Sequence, residues 1–354
     1  EILIGLVGSE MCIRDRYVLY EYPQYVIYNE YAHMNRIRYF FRIHLKGITR
    51  IYRLFRRIMR NAFYVRLMGV GKLKKADTFF FVIDPRFNHP GLADRMKAII
   101  ACYNEAKKNG LHFKIVFKQP FVLEDYLHPT SIDNDWVADF RDLEYSFFKT
   151  RFVDEKRGWH LSATSGCQYH CYNYTGDIIP EIFENTGYKW HELYHESFTP
   201  NEEIVRAIHD TGMPPQSYCA IHLRFVNALE DFEEGHYNRL STESEKQLLI
   251  ERCKAGIRKI IACNPHKKML VFSDSKIFLH SLDDLPVETL NPDTIGHICF
   301  NNNHEQVLKA FLDQYMISLA SKVYMITAPE MYSSSCFSLC GARIGGVEFE
   351  HMIV

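Results

Sequence analysis

Short apolar runs alternate along this chain with longer amphipathic segments. Residues 76–84 (ADTFFFVID) predict a buried strand, Leu92 to Asn109 a helix, and residues 111–117 (LHFKIVF) a second strand. A strand, a helix and a strand within about forty residues make a βαβ unit, and such a unit requires parallel pairing. Less regular helical segments are expected next, among them Asp135 to Lys149, with a Cys-rich loop near Cys167. Proline then marks a boundary, since the stretch from Thr199 to Gln216 holds Pro200, Pro214 and Pro215. Beyond it the alternation resumes. YCAIHLRF, KMLVFSDS, GHICF and KVYMIT predict strands, and Thr242 to Cys263, Glu305 to Ser321 and Cys336 to Arg343 predict helices. The pattern as a whole predicts an α/β protein of two doubly wound, Rossmann-like domains, residues 77–205 and 214–345, facing each other across a cleft. Ligands of open parallel sheets bind beyond the carboxyl ends of the strands, so the loops that follow those strands are where chemistry is expected.

Residues 17–75 have a different character. From Tyr31 to Lys75 there are 13 Lys or Arg and no Asp or Glu, which leaves a net charge of −11 on residues 76–354. Phe41, Leu45, Ile48, Ile51, Tyr52, Phe55 and Met59 recur at helical intervals with Arg between them, the pattern of a basic amphipathic helix. Two readings stand side by side: a helix lying on an anionic membrane surface, and a helix packed on the protein body with its Arg side chains in water. Leu6 to Arg16 spell the translation of a common transposase adapter used in DNA library preparation. Residues 1–16 are therefore expected to be a sequencing artefact and are set aside from fold reasoning.

Composition narrows the function classes. With 354 residues, 47% hydrophobic and 24% charged, the chain is neither collagen-like nor disordered. No apolar run approaches the 18 or so residues of a membrane span, and a net charge of −1 argues against a dedicated nucleic-acid binder. Cys167 and Cys171 with His170, and Cys336 with Cys340, lack the paired spacing of a structural zinc site. Setting Cys12 aside leaves nine cysteines, expected to be reduced core thiols of a cytoplasmic protein, with association at the inner membrane surface through residues 31–75 as the added option. No serine-hydrolase elbow or P-loop occurs. Tyr169, Tyr172 and Tyr174 fit either a sugar-stacking wall or plain aromatic packing.

Three strand-end or helix-start positions carry candidate chemistry. His222 and Arg224 end one predicted strand, where a guanidinium fork could grip two phosphate oxygens or make a structural ion pair. Asp274 ends the next, in the run Phe272, Ser273, Asp274, Ser275. Ser335, Cys336, Phe337 and Ser338 open a predicted helix, which suits either an anion site or an ordinary cap.

Taken together, the His-x-Arg strand end, the Ser-Asp strand end and the Ser-x-Phe-Ser helix start resemble the donor half of the GT-B fucosyltransferases. That superfamily includes the protein O-fucosyltransferases and the α1,2- and α1,6-fucosyltransferases. The run HLRF is especially similar to the O-fucosyltransferase version. The turn His89, Pro90, Gly91, Leu92, Ala93, Asp94, Arg95, Met96 stands where those families place a glycine-containing turn and a polar pair. Two departures leave subgroup and linkage open: Phe225 follows Arg224 where many α1,2 and α1,6 members carry a second Arg, and Asp94 stands where O-fucosyltransferases tend to have Asn.

The resemblance implies an acceptor-side domain followed by a nucleotide-sugar domain, GDP-fucose as donor, a glycan or other hydroxyl as acceptor, inversion at the anomeric carbon, and neither bound metal nor cofactor. It assigns Arg224 to the diphosphate, Ser335 and Ser338 with nearby backbone N–H groups to the phosphates, and Phe337 to the nucleotide sugar. His222, Asp274, Gly91 and Arg95 are assigned to nucleotide-sugar contacts. A general base is expected from the first domain; Asp94 is the candidate, and no motif fixes it. The rival expectations are a GT-B transferase using another nucleotide sugar and a non-catalytic carbohydrate-binding or membrane-surface relative.

Overall fold

The computed structural model describes residues 75–354, apart from 85–88, 90, 147–148, 154–160, 173–186, 231–238, 297 and 299–302. Residues 1–16, expected to be an artefact, the basic segment up to residue 74, Tyr174, and three of the five residues of GHICF therefore lie outside the described residues.

The first unit is built on β1 (Thr78–Ile83), α1 (Leu92–Lys108) and β2 (His112–Phe117), close to the predicted bounds. All six residues of β1 are buried, as a strand covered on both faces requires. After β2 come β3 (Leu127–Pro129), β4 (Thr150–Phe152), β5 (Gln168–Cys171), α2 (Trp190–Ser197), β6 (Phe198–Pro200) and α3 (Glu202–Asp210). The sheet order is β2-β1-β5-β4, parallel throughout, while β3 and β6 form a separate antiparallel pair.

Two expectations fail here. Asp135 to Lys149 contains no α-helix among its described residues: Asp135 takes the Val137 amide, Val137 bridges Ile115, and Asp139 caps a single 3₁₀ turn at Phe140–Asp142. Side chains that bond nearby backbone compete with the helix ladder, and here they win. The Cys-rich loop is instead a buried strand, because Tyr169 and Cys171 pair with Phe79 and Phe81 of β1. The proline-marked boundary also holds structure, since Asn201 caps α3 directly after Pro200 ends β6.

In the second unit, β7 (Tyr218–Leu223) is followed by α4 (Glu243–Cys263), β8 (Lys268–Ser273), α5 (Lys276–His280), β9 (Glu288–Thr289), α6 (His304–Ser318), β10 (Lys322–Thr327), α7 (Phe337–Gly345) and β11 (Phe349–Ile353). The start of α4 follows from a capping box in which Thr242 and Glu245 satisfy each other's backbone amides. The sheet order is β11-β10-β7-β8-β9, all parallel. Strand β11 was absent from the sequence reading, since FEHMI is half polar, and it pairs as an edge with β10.

Helix α7 belongs to the second sheet in sequence but packs on α1 and α2 of the first unit as well as on α6. The α6–α7 approach is close enough to need glycine. A Cβ on Gly341 would lie 2.6 Å from the Ile317 side chain, and one on Gly345 would land on the Ser318 carbonyl. This contact fixes the direction in which the first turn of α7 points. One continuous core, which includes Met96, Tyr194, Phe311, Tyr315, Cys340 and Ile344, joins the two units.

Candidate functional site

Strand order alone locates the crevice. From β7 the chain moves to β8 on one side and later returns to β10 on the other, so the order reverses at the carboxyl ends of β7 and β10. His222 and Arg224 lie at the end of β7, and the segment Ser333–Ser338 follows β10 into α7. The first sheet has its own reversal between β2 and β5 about β1, and the turn from β1 into α1 lies there.

His222 is 5% exposed, and its ring lies 5.6 Å from the Phe337 ring. Burial, with Arg224 next to it in effect, lowers its pKa to about 3, so the imidazole is neutral at neutral pH. Its Nδ1 has no hydrogen-bond partner among the described residues. Arg224 sets its guanidinium 5.6 Å from the centre of the Tyr332 ring, and its Nε is 4.0 Å from Asp274 Oδ2. Asp274 also accepts the amides of Phe225 at 2.7 Å and Val226 at 2.9 Å. Burial pushes the Asp274 carboxyl above its ordinary range, with Arg224 and the two amides opposing. Val226 has φ of 52°, which costs a β-branched residue on the order of 1–3 kcal/mol. That strained turn is what presents both amides to Asp274. Asp274 thus anchors the loop that aims Arg224.

At the start of α7, Ser335 Oγ accepts the Phe337 amide at 3.5 Å, while the N-cap residue Cys336 makes no side-chain cap. Ser338 is fully buried, and its Oγ has no partner among the described residues. Leaving a buried hydroxyl unpaired costs about 1–3 kcal/mol, which a ligand group reaching it would recover. A helix N-terminus favours that group being an anion.

The first unit reaches the same place through α1. Lys97, 2% exposed on α1, ion-pairs with Asp94 at 2.7 Å, and Cys336 lies near enough to act on its charge. Burial opposes its charge, but Asp94 and Cys336 together hold the ammonium above the ordinary lysine range. Arg95 turns away: its Nη1 donates to the Gln119 carbonyl at 3.3 Å and its guanidinium lies over Phe117. Gly91 is the N-cap of α1 with ordinary φ of −62°, and a Cβ there would meet nothing. His89 braces the turn by bonding the Asp84 backbone at 2.9 Å, its pKa lowered by burial to about 4.

The structure therefore gathers His222, Arg224, Asp274, Ser335, Phe337 and Ser338 from the second unit. Asp94 joins them through Lys97 and Cys336, while Arg95 is directed into the first unit's own core. Lys97, Tyr332 and Val226 were missed by sequence reasoning. A lysine three residues after Asp94 on a largely apolar helix was the one available signal; the other two depend on loop geometry. Tyr169 and Tyr172 are buried in the sheet core, which settles them as packing residues. Among the described residues no cluster of His, Cys, Asp or Glu could hold a metal ion, and no helix is long and apolar enough to cross a membrane.

No protein-family profile matches the sequence, and no curated protein sequence matches it. Solved structures do match. NodZ α-1,6-fucosyltransferase soaked with GDP-fucose is 14% identical, with a TM-score of 0.50 over 76% of this chain and 93% of that one. The same enzyme co-crystallised with GDP is 13% identical, with a TM-score of 0.50 over 76% and 92%. A mutant of Arabidopsis thaliana FUT1 in complex with GDP is 12% identical, with a TM-score of 0.49 over 83% and 74%. Two parallel-sheet units meeting at α7, matched to the NodZ structures over 76% of this chain, give this protein the GT-B fold.

Proposed function

We propose that this protein transfers fucose from GDP-fucose to a hydroxyl of a glycan or other acceptor, with inversion and without a bound metal or cofactor. The observation that carries the reading is the set of polar groups at the β7/β10 crevice. Arg224 is aimed by Asp274 and Tyr332, and His222 Nδ1 and Ser338 Oγ are buried without partners among the described residues. The soaking of NodZ with GDP-fucose and its co-crystallisation with GDP support the choice of donor.

Breaking the sugar C1–O bond leaves negative charge on the departing diphosphate. Preorganised donors aimed at that charge lower the barrier most, because they need no reorganisation as it develops. Arg224 supplies a permanently charged fork, the first turn of α7 supplies amides and the Ser338 hydroxyl, and the Lys97 ammonium adds positive potential from across the crevice. In this reading no divalent cation is needed to neutralise the diphosphate. The acceptor oxygen attacks C1 from the face opposite the diphosphate and loses its proton to a base of the first unit. Asp94, 37% exposed at its side chain beside Lys97, is the candidate.

Calorimetric titration with GDP and UDP, followed by transfer assays with GDP-fucose on a panel of glycan acceptors, tests the proposal. GDP binding with fucosyl transfer is expected. UDP preference would point to a GT-B enzyme of another donor, and absence of binding to both would leave a non-catalytic relative.

A further inference from the structure

Helix α4 grips all three segments that follow β7, β8 and β10 on the donor side of the crevice. Lys246 Nζ, in its first turn, donates to Glu230 Oε2 at 2.5 Å in the loop after β7. Lys254 Nζ donates at 2.9 Å to the carbonyl of Ser281, which ends α5 after β8. Between them Arg252 Nη2 donates to Glu330 Oε2 at 2.6 Å, in the loop after β10. Beside that pair the Cys253 thiol lies 3.6 Å from the sulfur of Met331. Tyr332 comes next in the loop, and its amide donates to the Arg224 carbonyl at 3.3 Å while its ring lies 5.6 Å from the Arg224 guanidinium. The ion pair on α4 is thus two residues away from the aromatic wall of the phosphate-facing arginine.

We propose that Arg252 is a positioning residue for the transfer reaction. Paired with Glu330, it holds the loop from Ala328 to Tyr332 so that the Tyr332 ring keeps the Arg224 fork aimed at the diphosphate. Arg252 touches neither substrate nor reacting atoms, and it acts only through the loop. Each partner is 34% exposed at its side chain, so the pair is sheltered enough to fix a geometry without being a buried charge. A misplacement of about 1 Å at a reacting site can cost roughly 10²-fold in rate, even when its origin is distant. Acting through two further contacts, Arg252 should account for about tenfold. Its effect on transfer rests on the donor-site reading above; its hold on the loop does not.

Arg252→Met keeps most of the side-chain volume and removes the charge, and Glu330→Gln removes it from the other side. Amide hydrogen exchange of the whole unliganded chain, followed by mass spectrometry, reads the peptide from Ala328 to Cys336. Exchange there should quicken about two- to fivefold in either variant, the range set by a half-exposed ion pair, with β10 unchanged. In GDP-fucose turnover with the best glycan acceptor of the panel, kcat should fall about tenfold while the acceptor KM stays put. Arg252→Lys should recover most of both losses. The double variant should be no worse than the worse single one, as for two ends of one contact. Unchanged exchange in the folded variants, faster exchange with full turnover, or losses that add in the double variant would each overturn the proposal. If Arg252→Met fails to fold, Glu330→Gln and Arg252→Lys carry the same comparison. A wild-type chain that neither binds GDP nor transfers fucose would sink the donor-site reading and the role of Arg252 in transfer with it, while the exchange comparison would still decide whether the pair holds the loop.

Discussion

Replacing Arg224 tests the site at the point where geometry and chemistry coincide. The guanidinium lies between the Tyr332 ring and the Asp274 carboxylate, so Arg224→Ala removes a preorganised cation and also a partner of a buried acid. The two losses have different sizes. Removing a donor aimed at developing negative charge costs about 3–4 kcal/mol, or roughly 10²–10³ in rate. Breaking a buried ion pair can cost about 3–5 kcal/mol. Here the separation is 4.0 Å and Asp274 keeps the amides of Phe225 and Val226, so the stability loss should be nearer 1–2 kcal/mol, roughly that of one unsatisfied polar group. For a chain of this size that corresponds to a fall in Tm of about 1–3 °C. Arg224→Lys keeps the charge near Asp274 but loses the two-pronged donor, so its Tm should stay near wild type while transfer recovers only in small part. The assay is GDP-fucose turnover under saturating acceptor, with GDP affinity by calorimetry and Tm by scanning fluorimetry. Folded Arg224→Ala protein with near-normal transfer and GDP affinity would refute the reasoning, and so would an Arg224→Lys enzyme of full activity.

Ser338→Ala should weaken GDP binding by about five- to tenfold, the loss of one hydrogen bond, while leaving the unliganded Tm unchanged or slightly raised because an unpaired buried hydroxyl is gone; a lowered Tm with unchanged affinity would contradict it. Asp94→Asn should lower transfer by about 10²–10⁴ with GDP affinity retained, and near-normal turnover would dismiss Asp94 as the base. Stability should fall on acidification below pH 6.5, because His89, His170 and His222 are held neutral by burial with pKa values lowered to about 4, 3 and 3, whereas the unfolded chain takes up protons from 6.5 downward. Each such group gives a slope of about 1.4 kcal/mol per pH unit between its two pKa values, so His222→Asn should flatten urea-derived stability between pH 6.5 and 4; a slope unchanged by that substitution would show that His222 is not the buried neutral group described.

Much of this protein was legible in its sequence, because the strongest elements are local in origin. Continuous apolar runs fixed β1, β7 and β10, and Thr242 with Glu245 fixed the start of α4, since each depends on neighbours within a turn or a strand. The site residues at strand ends followed from the same logic, as parallel sheets place ligands beyond those ends. What stayed hidden depended on partners distant in the chain. Cys171 belongs to a strand only because β1 is there to pair with it, and residues 135–146 forgo a helix because their side chains bond their own backbone and Val137 bridges to Ile115. The half-polar β11 needed the edge of β10. Lys97 and Cys336 are 239 positions apart in sequence, yet α7 packing on α1 brings them together. Propensity and periodicity act over a few residues, whereas the electrostatics of this crevice are set by which helix is laid against which, and the glycine-tight α6–α7 contact decides that only once the sheets have formed.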